Sequence, residues 1–374
     1  VKFSRLASLL YWSVIPAAFI GPGTVTSAAQ AGASYGSALL WTFLFSAAAC
    51  TVLQTTAART ASATGVDLGG AIAARFPGRR GAFLRGFAAW SIVAGCAAYQ
   101  AGNLIGAAQG LVVAAGVSRR GAVAACALVC AALLWRGTPG FLARAMGVLV
   151  AVMGAMFTAV AVLLKPDAGE LWRGTFVPTL PAGSSGLALA LVGTTVVPYN
   201  LYLGSGLARG RSTQDVGFGT AAAVALGVFV SAAILVAGTA LAGPFTDFAP
   251  LVASLRTRLG PGAEVAFGLG LFAAGFTSAI TAPLAAGAAL AGVRGADPRR
   301  AGARERATRL GVLAVGAACA LAEVKPVPAI IAAQALNGLV LPFAAAFVLV
   351  VANDPRLGSA RNGPVRNLLG GGVL

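Results

Sequence analysis

The residues best placed to do chemistry in this sequence are uncharged and stand in two short runs, Gly21-Pro22-Gly23-Thr24 and Val197-Pro198-Tyr199-Asn200. Each run interrupts a long apolar stretch. Proline removes a backbone donor and crowds the preceding turn, and glycine lowers the cost of leaving helical geometry, so each run is expected to break a helix. A break leaves carbonyls free at the end of one half-helix and amides free at the start of the next. With the hydroxyls of Thr24 and Tyr199 and the amides of Asn200 and Gln334, two such breaks would bind a small solute through dipoles. Two ordinary proline kinks are the plainer alternative, since membrane helices tolerate them.

The elements that carry these runs are membrane spans. Only 10 % of the residues are charged and 58 % are hydrophobic, and Leu6 to Ala58 and Val265 to Val293 contain no Asp, Glu, Lys or Arg. A helix needs about 20 apolar residues to cross the hydrocarbon core. The charge-free runs predict ten spans, over residues 8–32, 37–61, 87–115, 121–136, 141–164, 185–208, 218–243, 262–292, 308–322 and 327–352. The two breaks then fall in spans one and six, each the first of a five-span half. Interrupted spans in matching positions are the sequence sign of a site at the interface of inverted repeats. The halves are residues 1–164 and 185–352, joined by an exterior connection over 165–184. Residues 353–374 form a cytoplasmic tail or the start of an eleventh helix.

A net charge of +17 invites a nucleic-acid reading, but the charges lie between apolar spans and not on one surface. With an interior N-terminus, the exterior keeps only Arg119, Arg120, Lys165, Arg173, Arg256, Arg258 and Lys325 of the 27 Lys and Arg residues. This positive-inside bias predicts a multi-pass protein of the inner (plasma) membrane with a cytoplasmic N-terminus. No secretory cleavage pattern follows the first apolar segment. The five cysteines fall inside spans; Cys126 and Cys130, four apart, share a helix face and read as packing residues.

A resemblance now becomes legible. Gly21-Pro22-Gly23-Thr24 through Gln30-Ala31-Gly32-Ala33-Ser34-Tyr35-Gly36 resembles the first-helix signature of the NRAMP divalent-metal transporters, Asp-Pro-Gly-Asn followed by Gln-Ala-Gly-Ala. Thr64-Gly65-Val66-Asp67-Leu68, Val197 to Leu203, Phe267 to Gly270 with Ala273-Ala274-Gly275, and Gln334 with Leu341-Pro342-Phe343 continue it in order. The resemblance implies an all-α LeuT-type fold of 5+5 inverted repeats, helices one and six unwound at mid-membrane, and alternating access.

The departures bear on function. The resemblance implies that the family's metal is held by the Asp and Asn of the first break and the Met of a Met-Pro-His motif in the sixth span. Those positions look like Gly21, Thr24 and Val197 here, and Tyr199 replaces the His. The Asp and Glu of the family's third-helix proton route look like Gln100 and Asn103, and a second His like Gly204. The chain has no histidine, and its ten acidic residues fall in loops or at span ends. A carboxylate and a soft thioether are what a transition-metal site needs, and titratable groups are what a proton relay needs. Neither set is present, so no metal ligand is assigned and no cofactor is expected.

Three readings follow. One is a transporter of Mg2+ or another cation through a neutral site built from Gly21, Gly23, Thr24, Val197, Tyr199, Asn200 and Gln334, without Mn2+, Fe2+ or proton coupling. The second is a carrier of a small organic solute such as an amino acid, since Gly21 and Gly23 leave room and bare amides. The third is a non-transporting receptor or scaffold. An enzyme is excluded by the lack of any nucleophile paired with a base. Each residue also has a plainer use: Thr24 as a cap, Tyr199 as filler across the break, Gln100 and Asn103 as interhelical glue. Thr277, Ser278 and Thr281 are either sodium ligands or bonded back to their own helix.

Overall fold

A computed structural model of the protein describes residues 11–241, 243, 245, 247–293, 298–322, 334 and 341–373. Among these residues there are helices and turns and no strand. The first expected span is two helices, α1 (Val14–Phe19) and α2 (Pro22–Tyr35). There follow α3 (Trp41–Thr64), α4 (Leu68–Arg75), α5 (Gly78–Ala115), α6 (Arg119–Arg136), α7 (Pro139–Leu163) and α8 (Ala168–Phe176). The sixth span is again two helices, α9 (Ser185–Thr195) and α10 (Pro198–Ala208). The chain continues through α11 (Thr213–Gly238), α12 (Phe248–Leu259), α13 (Pro261–Val293) and α14 (Pro298–Leu321). It ends in α15 (Leu341–Ala352), a 3-10 turn (Pro355–Ala360) and α16 (Pro364–Gly371). Of the tenth expected span, residues 327–333 and 335–340 lie outside the described residues.

Three links expected to be plain connections carry short helices. Asp67, Asp167 and Asp247 are the N-caps of α4, α8 and α12, and their carboxylates accept from the amides of Gly70, Glu170 and Phe248. An acidic residue at a helix start satisfies an orphan amide and favours the positive end of the dipole. These three acidic residues therefore have a local structural use. Two spans also begin earlier than expected, α5 at Gly78 and α14 at Pro298. Hydropathy marks only the part of a helix that sits in lipid, whereas the helix itself continues through its charged end.

Five of the described helical stretches are long and apolar enough to cross a membrane by themselves, and one of them, Ser185–Ala208, is the broken sixth span. The second span shows why others fall short. α3 buries Thr42, Ser46, Gln54, Thr56 and Thr60 among its neighbours, so its polarity faces protein and not lipid.

Glycine sets how closely the helices pack. A Cβ on Gly110 of α5 would lie 2.2 Å from the backbone nitrogen of Phe272 in α13, and one on Gly275 would lie 2.3 Å from that of Ala107. The second half of the first span, α2, meets α11 in the same way. A Cβ on Gly32 would stand 1.9 Å from the Leu235 carbonyl oxygen, and one on Gly238 would stand 2.3 Å from that of Ala29. Without a hydrophobic force between helices in lipid, such close backbone approach supplies the packing. Gly110→Ala is expected to force α5 and α13 apart and cost about 1–3 kcal/mol, the range for overpacking a filled interface. Melting of the detergent-purified variant checks this; an unchanged midpoint would contradict the close seam.

Candidate functional site

The two breaks have the same local geometry. α1 ends at Ile20 with ψ 82°, Gly21 is extended, and Pro22 opens α2. α9 ends at Val196 with ψ 73°, Val197 is extended, and Pro198 opens α10. Each proline thus occupies the first helical position, where its missing amide proton costs nothing and its fixed φ is already helical. The residue before proline is pushed to extended backbone, which makes the break sharp. These are interruptions and not kinks.

Between them lies a cavity of about 20 Å³, lined by Ala18, Phe19, Gly21, Gly23, Thr24, Tyr99, Asn103, Thr194, Val197, Tyr199, Ser278 and Gln334. That is room for one water. Every lining residue is uncharged. Of the expected site residues, Gly21, Gly23, Thr24, Val197, Tyr199 and Gln334 come together here, and so does Asn103. Asn200 does not line the cavity; its Nδ2 donates to the Ile15 carbonyl at 3.2 Å.

The expectation of free carbonyls at the end of α1 does not hold. Asn200 covers Ile15, the Ile20 amide covers Pro16, Ser278 Oγ donates to Ala17 at 3.4 Å, and Tyr199 Oη donates to Ala18 at 2.5 Å. The Phe19 carbonyl accepts from Thr24 Oγ1 and from the Gly21 amide. A buried carbonyl without a partner costs about 1–3 kcal/mol, so polar side chains nearby are drawn onto the break. Thr24 is itself saturated: it donates to Phe19, its oxygen is 2.6 Å from Thr194 Oγ1, and the Gly21 amide points at it from 3.4 Å. One donor and two lone pairs are all that a hydroxyl has.

Nor is the first break roomy. Gly23 leaves space that the Gln334 amide fills, since a Cβ there would lie 1.9 Å from its Nε2. The opposite ends are less well covered. Neither Gly21 nor Val197, the N-caps of α2 and α10, offers a side-chain acceptor to the first-turn amides. On the far side of α10, Gln54 fills the gap at Gly204, where a Cβ would meet its Oε1 at 2.4 Å. The Oε1 of Gln54 and the Oδ1 of Asn200 are buried and accept from no donor among the described residues.

Gln100 is glue, with a specific cause. Pro283 interrupts the ladder inside α13 and cannot donate to the carbonyl four residues back. Gln100 Nε2 donates to that carbonyl, Ala279, at 2.9 Å, and Asn103 Nδ2 reaches Gln100 Oε1 at 3.4 Å. Thr277 and Thr281 bond back to Ala274 and Thr277 in their own helix. Only Ser278 of the three points at the break. Thr194 and Tyr99 were not singled out from the sequence. Thr194 sits three residues before Val197, where a hydroxyl ends an otherwise apolar half-helix; Tyr99 stands beside Gln100 with no motif to mark it.

Tyr199→Phe tests the capping directly. It keeps the ring and strands the Ala18 carbonyl, so a stability loss of about 1–3 kcal/mol is expected, read from thermal melting. Thr24→Val, which removes a group with more partners, is expected to cost more than Tyr199→Phe. Equal stability of both variants and the parent would show that the breaks do not depend on these caps.

Residues 13–374 match the family described as natural resistance-associated macrophage protein-like, Nramp. The divalent metal cation transporter MntH of Yersinia pestis (strain Pestoides F) is 30% identical over 284 residues, covering 72% of this chain and 68% of that protein. MntH of Pectobacterium carotovorum subsp. carotovorum (strain PC1) is 31% identical over 283 residues, covering 71% and 68%. Among solved structures, the manganese transporter of Eremococcus coleocola, in complex with an aromatic bis-isothiourea substituted compound, superposes with a TM-score of 0.78 at 18% identity. It covers 100% of this chain and 86% of that one. MhsT in complex with L-phenylalanine gives 0.69 at 16% identity, covering 99% and 95%. The paired breaks, the helix order and the match along nearly the whole sequence have one meaning: this chain is an integral membrane protein with the LeuT-type fold, and it belongs to the Nramp family.

Proposed function

We propose that the protein is a secondary transporter working by alternating access, whose neutral site carries Mg2+ or another cation and does not carry Mn2+ or Fe2+ or couple to protons. The observation that carries this reading is the cavity between the two breaks, which has no carboxylate, imidazole, ammonium or guanidinium in its wall. Desolvating an ion costs several kcal/mol even after relaxation, and here no opposite charge offsets it. Mg2+ keeps much of its water and needs few direct ligands. The relatives' names as divalent metal cation transporters agree with a cation. A space of about 20 Å³ does not admit a hydrated ion, so the half-helices must part to load it. In this reading the halves 1–164 and 185–352 rock about the breaks in the plasma membrane, with the N-terminus and most of the arginines cytoplasmic.

The second reading, a small organic solute such as an amino acid, has one observation of its own. The uncapped N-termini of α2 and α10 both border the cavity and would favour a carboxylate.

Reconstitution in proteoliposomes discriminates. Saturable Mg2+ entry without lumenal acidification is expected, and no saturable Mn2+ entry at micromolar concentration. Robust Mn2+ uptake with acidification would overturn the reading. Thermal stabilisation by amino acids or amines with no effect of Mg2+ would move the assignment to the organic solute, because a ligand that binds only the folded state raises the melting point. Silence across both classes would leave a non-transporting receptor or scaffold.

A further inference from the structure

Ser278 and Gly21 are built for each other. Gly21 has φ −111° and ψ −175°, extended backbone that any residue adopts, so its glycine is not required by conformation. What a side chain there would meet is Ser278. A Cβ at position 21 would lie 2.7 Å from Ser278 Oγ and 3.2 Å from Ser278 Cβ, with Asn103 Oδ1 at 3.6 Å. Ser278 is 1% exposed, and its hydroxyl donates to the Ala17 carbonyl at the end of α1. The serine therefore fills the volume that a side chain at position 21 would enter and occupies the Ala17 carbonyl. Asn103 adds a carbonyl oxygen facing the same point. An acid placed there would meet an oxygen dipole of its own sign.

We propose that Ser278 is the specificity-determining residue of the first break, holding position 21 neutral and thereby excluding a dication stripped of its water. The inference deepens the neutral-site reading and rests on it. Restoring a carboxylate at position 21 alone is not enough; the serine must also go.

The test is a double-mutant cycle read by Mn2+ binding alone, with purified full-length protein in lipid nanodiscs and isothermal titration. The cycle comprises the parent, Gly21→Asp, Ser278→Gly and the double variant. Ser278→Ala, which deletes only the hydroxyl, stands in if the glycine variant melts too low to use. The double variant is expected to bind Mn2+ at least about 10-fold more tightly than Gly21→Asp, which is about 1.4 kcal/mol and within the coupling measured between touching residues. The parent and Ser278→Gly are expected to show no Mn2+ heat. If Gly21→Asp binds as tightly as the double variant, or if neither binds, Ser278 is not the determinant and the proposal fails while the neutral-site reading stands. Mn2+ binding by the parent would instead break the neutral-site reading itself.

Discussion

The structure depends on satisfying backbone carbonyls where two membrane helices are cut. Inside lipid there is no water to take up an orphan acceptor, and each one left bare costs about 1–3 kcal/mol. At the first cut, four side chains from three helices, Thr24, Tyr199, Asn200 and Ser278, are drawn onto the last carbonyls of α1. That requirement brings α10 and α13 against α1. The glycine seam between α5 and α13 then gives Ser278 a fixed platform, since the two helices touch backbone to backbone.

This requirement also governs what the site can do. The polar groups that would hold a passenger are the ones that hold the break together, so any passenger must compete with an internal hydrogen bond. A neutral hydroxyl exchanges such a bond at small net cost, whereas a bare dication needs charge that the cavity wall does not contain. Specificity in such a site comes from the space and the number of dipoles a solute meets. Among the described residues, Asp67, Asp167, Asp247 and Asp354 act as caps at helix starts, and two of them pair with nearby arginines, Asp67 with Arg209 and Asp354 with Arg75.

Much of this was legible in the residues. Gly21-Pro22 and Val197-Pro198 announce breaks because proline at the first position of a half-helix and an extended residue before it are local chemistry. The placement of the acids in loops and at span ends follows from hydropathy alone. Short amphipathic helices were harder to see: α4 and α8 have too few residues to show a clear period, whereas α12 buries Phe248, Leu251, Val252 and Leu255 on one face between charged neighbours. Gln100 illustrates a different limit. Its role depends on Pro283, distant in sequence, whose missing donor creates the acceptor that Gln100 serves.

By itself, the sequence determined that this is a membrane protein with two matched helix breaks and no charge between them, because composition, proline and glycine act through local backbone rules and solvation. Only the tertiary structure decided that Thr24, Tyr199 and Asn200 are engaged as caps, that Gln334 fills the space beside Gly23, and that Ser278 fills the space beside Gly21. The physical reason is that a hydrogen bond to an orphan carbonyl, or the occupation of a missing Cβ's volume, belongs to pairs of residues brought together by helix packing and cannot be assigned to either member alone.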